Sequence, residues 1–253
     1  MSKRNSVTHG TRKSQFVAVI PALNEEAAIG AVLSELRSHH PNCVPIVVDD
    51  GSVDGTARIA AENGARVVVM PRNVGIGSAV QIGFLIAARE GIDYVVQVDA
   101  DGQHDPGELD AILEPVRLGE VNVAIGSRYL DGGSFHHAFH RRFLIRAFAR
   151  LITLVTGQQL TDTSSSFRAY DRKAILFCAD NYPQGFLESI ESLVLMTRAG
   201  LTVREVPVVI RPRKSGETSL SLGRTMIYTG KVLLAIMVSL TRSAVTPRQD
   251  TIR

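Results

Sequence analysis

Two carboxylates one residue apart, Asp99 and Asp101, close the apolar run Val95-Val-Gln-Val98 in a string that continues Gly102-Gln-His104. If the run extends as a buried strand, successive side chains alternate faces and both carboxylates point the same way at its C-terminal end. Open α/β sheets bind their ligands at that edge. Hard oxygen ligands there suit Mg²⁺ or Mn²⁺, which bind through a few carboxylates and substrate phosphates. An acidic turn after a strand is the plainer alternative. A second acidic strand end, Asp49-Asp50-Gly51-Ser52, falls on the same edge if the sheet is parallel, so two such ends converge on one crevice. Asp50 could accept hydrogen bonds from a nucleobase or ribose there, or cap the helix that follows.

Other strings carry weaker chemistry. Asn73-Val-Gly-Ile-Gly77 is glycine-rich before a helix and resembles a phosphate cradle. It lacks the G-x-G-x-x-G spacing, and a tight helix entry is the readier explanation. With no Gly-Lys-Ser/Thr loop, a P-loop nucleotidase is not expected. No Ser-His-Asp or Cys-His arrangement is readable. His104 could stand beside a metal site or on the acceptor side. Arg128 and Arg213 are candidates for phosphate, which a guanidinium matches on two edges.

These residues need a sheet to position them. Phe16–Ile20 reads as a strand ended by Pro21, and Asn24-Glu-Glu-Ala as a helix start with a capping residue and acids in its first turn. That helix runs to about Ser38. Strands at Pro45–Asp49, Ala65–Met70, Asp93–Val98 and Val121–Ile125 alternate with helices ending near Gly64, at Gly75–Arg89 and at Pro106–Leu118. This alternation predicts an α/β fold with a mostly parallel sheet covered on both faces. Glu188–Ala199 follows as a helix and Leu201–Ile210 as a strand around Pro207.

Size and charge bound the rest. A chain of 253 residues with 45% hydrophobic and 21% charged content describes a globular protein. The net charge of +3 does not point to nucleic acid, and no nucleic-acid motif is present. Two cysteines, Cys43 and Cys178, give no disulfide framework. Residues 1–15 read as a flexible basic tail with no secretory signal, and no run reaches a spanning length. Phe135–Val155 is helical by spacing, with Arg142, Arg146 and Arg150 on one flank. Basic amphipathic helices lie on anionic membrane surfaces, although packing on the sheet is an equal alternative. The apolar segment Thr225–Leu240 could lie in the interface or dock on a membrane protein.

Taken together, Ile20-Pro-Ala-Leu-Asn-Glu-Glu26, Val47-Val-Asp-Asp-Gly-Ser-Val-Asp-Gly-Thr56, Asn73-Val-Gly-Ile-Gly77, Asp99-Ala-Asp-Gly-Gln-His104, Gly126-Ser-Arg-Tyr129, Phe167-Arg-Ala-Tyr170 and Glu205-Val-Pro207 resemble the family 2 glycosyltransferases. The likeness is greatest to the dolichyl- and polyprenyl-phosphate sugar synthases. It implies a GT-A, Rossmann-like fold over residues 16–220, with a membrane-proximal helix and tail at 221–253. It also implies a GDP- or UDP-linked sugar donor, a divalent metal, and inversion at the anomeric carbon. Carried over, Pro21, Leu23, Glu25, Val48 and Asp50 line the nucleotide pocket, with Ala100 beside it. Asp99, Asp101 and Gln103 hold the metal, Arg128 and Arg213 sit near phosphates, and Asp162 falls in the acceptor loop.

Two departures matter. Ser166 stands where the pattern has glycine before Phe-Arg, and Ser219 stands where it has a phosphate-binding lysine, for which Lys214 is a possible substitute. The expected activity is sugar transfer to polyprenyl phosphate from the cytoplasmic face of a membrane. A glycan hydroxyl acceptor would need a general base, for which Asp162 is the candidate. A sugar-phosphate nucleotidyltransferase and a non-catalytic nucleotide-sugar-binding scaffold of a membrane complex are the alternatives.

Overall fold

The computed structural model describes residues 16–130, 150, 153–154, 157–184 and 188–211. Arg213, Lys214, Ser219, the basic tail, the 225–240 segment and nearly all of 135–155 lie outside them.

Seven strands form one sheet in the order β3-β2-β1-β4-β6-β5-β7. They are β1 (Phe16–Ala22), β2 (Val44–Asp49), β3 (Arg66–Val69), β4 (Tyr94–Gln97), β5 (Val123–Ser127), β6 (Arg168–Tyr170) and β7 (Val203–Pro207). All ladders are parallel except those of β6, which runs against both β4 and β5. The helices are α1 (Ile29–His39), α2 (Thr56–Glu62), α3 (Ile76–Arg89), α4 (Leu109–Arg117), α5 (Arg172–Asn181) and α6 (Glu188–Arg198).

Alternation along β1 sorts the core into two layers. Val17 and Val19 join Phe84, Tyr170, Ile175 and Leu193 under α3, α5 and α6. Ala18 and Ile20 join Leu33, Leu36, Leu109 and Ile112 under α1 and α4. Each fully buried aliphatic side chain contributes roughly 1.5–3 kcal/mol. Helix α3 lies close on β1 because Gly83 has no side chain: a Cβ there would stand 2.2 Å from Val19 Cγ1.

Four expectations need correction. Pro21 does not end β1, which continues to Ala22. Val19 bonds toward β4, through Val98 N–H, and Ala22 toward β2, through Asp50 N–H. Pro21 therefore faces the side on which β4 has already stopped, where its missing donor costs no ladder bond. The first helix opens at Ile29, not at Asn24, because Asn24 to Glu26 bond to the neighbouring loop instead. Residues 106–118 split into a 3₁₀ turn, Pro106–Glu108, and α4, with Asp105 capping the turn through Gly107 N–H at 2.9 Å. Finally, β6 and α5 were not anticipated. Asp171 caps α5 by accepting from Ala174 N–H at 2.7 Å.

Candidate active site

Strand β4 stops at Gln97, two residues before the acidic pair, so strand alternation does not orient the carboxylates. A turn does. Gly102 adopts φ +76°, and Asp101 Oδ1 accepts the Gln103 N–H at 3.0 Å, closing an Asx turn. Asp99 is held by two hydrogen bonds, and His104 Nε2 stands 3.7 Å from its Oδ2. Its N–H donates to His104 Nδ1 at 3.0 Å, and its Oδ2 accepts from Ser166 Oγ at 2.6 Å. Accepting at Nδ1 places the neutral His104 proton on Nε2. The His104 ring is buried and stacked on Phe167 with centroids 4.6 Å apart.

The remaining oxygen, Asp99 Oδ1, is buried and has no hydrogen-bond partner among the described residues. An orphaned carboxylate oxygen beside a second acid suits a hard cation that completes its shell with phosphate oxygens and water. The described residues hold no group of three or more His, Cys, Asp or Glu side chains able to form a metal cage. The fit therefore rests on the Asp99 and Asp101 carboxylates alone, a pair that Mg²⁺ can use because it keeps several waters and binds through one or two carboxylates plus substrate phosphates. Gln103, the third expected ligand, donates its side-chain amide to the Arg211 carbonyl at 3.4 Å, while its own carbonyl accepts the Arg211 N–H at 2.9 Å.

The other acidic strand end is tied into the chain by hydrogen bonds. Asp50 is buried and its two oxygens accept the N–H groups of Val74 and Gly75, at 2.8 and 2.9 Å. Those amides would have formed the phosphate cradle, and a carboxylate occupies them instead. Gly51 is required beneath: at φ +77°, a Cβ would lie 2.6 Å from the Arg72 backbone.

The rim of the crevice comes from two loops laced together. Asn24 N–H and side-chain oxygen bond to Ser52 and Val53, Glu25 N–H to Thr56 Oγ1, and Glu26 accepts from Gly55. Asn24 holds φ +54° to do so. Leu23 is exposed on this rim and Pro21 is buried just below it. Val48 and Ala100, by contrast, are buried in the core layers.

Arg128 meets Asp162 on two edges, Nε to Oδ2 at 2.8 Å and Nη2 to Oδ1 at 3.0 Å. Burial works against the Arg128 charge, but the hydrogen bonds and charge of Asp162 outweigh it and raise its pKa, with Asp99 adding to the effect. Asp162 is itself fully buried. Its loop hangs on Glu205, whose carboxylate accepts from Thr161 N–H and Oγ at 2.8 Å and from Asp162 N–H. Buried Arg168 donates to the Ser165 carbonyl of the same loop and to the Ser189 carbonyl at the start of α6.

Three contributions escaped the sequence reading. Glu205 was matched only as part of a motif, Ser166 only as a departure, and Glu188 not at all. Glu188 is buried at the start of α6, and burial pushes its carboxyl up despite the Ser189 hydroxyl bonded to it. The signal for Glu188 would have been an acid opening an otherwise apolar helix.

The chain belongs to glycosyl transferase family 2, whose model matches residues 17–177. It is 32% identical over 216 residues to the polyprenol monophosphomannose synthase of Mycolicibacterium smegmatis, covering 81% of this chain and 80% of that protein. It is 30% identical over 219 residues to the undecaprenyl-phosphate mannosyltransferase of Micrococcus luteus, covering 83% and 88%. Among solved structures, glucosyl-3-phosphoglycerate synthase from Mycobacterium tuberculosis, crystallised with Mn²⁺, UDP-glucose and phosphoglyceric acid, shares the fold. It has a TM-score of 0.67 and 21% identity, over 93% of this chain and 88% of that one. No helix among the described residues is long and apolar enough to cross a membrane.

Proposed function

We propose that this glycosyltransferase moves a sugar from a GDP- or UDP-linked donor to a polyprenyl phosphate, with inversion, at the inner face of a membrane. One observation carries the acceptor. Asp162, the carboxylate that would deprotonate a hydroxyl acceptor, is buried with both oxygens bonded to Arg128. A phosphomonoester has its second pKa near 6, so it arrives as a nucleophile and needs no base. The two curated relatives named above bear the names of enzymes acting on polyprenol and undecaprenyl phosphate.

In this reading an acceptor phosphate oxygen bonds to the anomeric carbon from the face opposite the donor. The bond to the donor diphosphate breaks, and its electron pair leaves with the nucleoside diphosphate. Asp99 and Asp101 would hold Mg²⁺ or Mn²⁺, with Gln103 adjoining. A cation bound there neutralises charge developing on the leaving group, an effect commonly worth several kcal/mol. Arg128, oriented by Asp162, presents fixed positive charge to the reacting phosphates without reorganising. Arg213 would add a second cation. Pro21, Leu23 and Glu25 line the nucleotide side.

The test uses donor labelled in the sugar, with vesicles containing polyprenyl phosphate. Label moving into organic solvent is the expected result; label confined to water-soluble glycan overturns the acceptor assignment.

A further inference from the structure

Ser166 stands just ahead of β6, and its hydroxyl lands on the first acid of the pair. We propose that Ser166 is a positioning residue that makes Asp99 a single-oxygen ligand and so selects the cation the acidic turn accepts. This rests on the metal reading above.

The geometry is specific. Ser166 Oγ donates to Asp99 Oδ2 at 2.6 Å, which commits that oxygen, while Oδ1 is buried and unpartnered. The Asp99 backbone is held by His104, which is stacked on Phe167, the residue directly after Ser166. Adjacent residues on the lead-in to β6 therefore fix both the main chain and the carboxylate of Asp99. Rotation of the carboxylate to offer two oxygens would break the Ser166 bond.

Cations differ in what they ask of such a ligand. Mg²⁺ demands near-octahedral coordination with short bonds, while Ca²⁺ takes 6–8 oxygens and accepts carboxylates through both. A carboxylate with one oxygen committed serves the smaller ions. With glycine or alanine at 166, Oδ2 is released and the discrimination against Ca²⁺ weakens. Hydrogen-bond partners of metal ligands are known to change metal affinity by 10–100-fold when removed.

The experiment titrates Mn²⁺ by electron paramagnetic resonance in the presence of UDP, and separately of GDP, with Ca²⁺ as competitor. It compares the wild type with Ser166→Ala, Ser166→Gly and Ser166→Thr, and thermal melts without metal monitor the fold. Ser166→Ala and Ser166→Gly should weaken Mn²⁺ binding about tenfold and narrow the Mn²⁺ preference over Ca²⁺. Ser166→Thr, which keeps the hydroxyl, should stay close to the wild type. Unchanged Mn²⁺ affinity in Ser166→Ala, or a loss shared equally by both cations, overturns the inference. A wild type that binds no Mn²⁺ with either nucleotide removes the metal reading and this inference with it.

Discussion

Asp162 grips Arg128 through both carboxylate oxygens, and it does so from a fully buried position while the arginine keeps about a quarter of its side chain exposed (26%). The pair is thus a mount: the acid is sealed inside and the cation faces the crevice. Arg128→Lys cannot reproduce a two-edged contact. We expect that variant to lose about 10²-fold in kcat/KM, the scale of one removed transition-state donor. Arg128→Ala should also cost stability, toward the lower end of about 3–5 kcal/mol because the arginine is partly solvated. Chemical denaturation and steady-state kinetics on both variants check this. Equal kcat/KM in Arg128→Lys would show that the arginine only props up the loop.

Asp101→Ala should reduce sugar transfer by about 10²–10³-fold while the melting temperature stays near that of the wild type. Asp101→Asn retains an acceptor for the Gln103 N–H yet removes the charge. If charge is what matters, Asn will be as inactive as Ala in a metal-controlled assay. Turnover restored by Asn would reassign Asp101 to turn geometry.

Gly83→Ala tests the seat of α3 on β1. The added carbon would stand 2.2 Å from Val19 Cγ1, too close for any real contact, so helix and strand must separate. Overpacking of this kind costs about 1–3 kcal/mol. A fall in the denaturation midpoint is expected; an unchanged midpoint would mean the helix slides freely.

Glu188 supplies a pH signature. Burial raises its carboxyl pKa in the folded chain. The folded state then holds a proton the unfolded state has released, so stability falls as pH rises between the unfolded and the folded pKa, and the penalty persists above both. Glu188→Gln should therefore raise the melting temperature at pH 7 and leave it nearly unchanged at low pH. Each 1 kcal/mol relieved corresponds to about 2–4 °C in a chain of this size. A melting temperature that drops at pH 7 would show that the charge is required by Arg168 nearby.

Much of the framework was legible because parallel strands buried on both faces read as unbroken apolar runs. Strands β1, β2, β4 and β5 were found that way. What misled were residues whose side chains answer to another segment. Asn24 looks like a helix cap, but its oxygen serves Val53 across the loop. Asp50 reads as a ligand or a helix cap, and the bonds it makes to Val74 and Gly75 were not readable. Strand β6 was missed because Arg168-Ala-Tyr170 is short and carries a charge that only its carbonyl and hydroxyl partners make tolerable. Asp171 ahead of Ala174, Ile175, Phe177 and Cys178 was a readable start for α5. The acidic pair, Arg128 and Asp162 were visible as types; that the last two belong to each other was not, because 34 residues separate them.

The reversed strand has a bearing on how the molecule assembles. β6 sits between β4 and β5, although it follows β5 in the chain by some forty residues. Until it inserts, β5 and β7 have no ladder to the first four strands. Closing that long connection is entropically slow relative to local pairing. The loop carrying Asp162 and the strand leading to Arg128 are thus joined to the acidic turn after β4 through this one inserted strand.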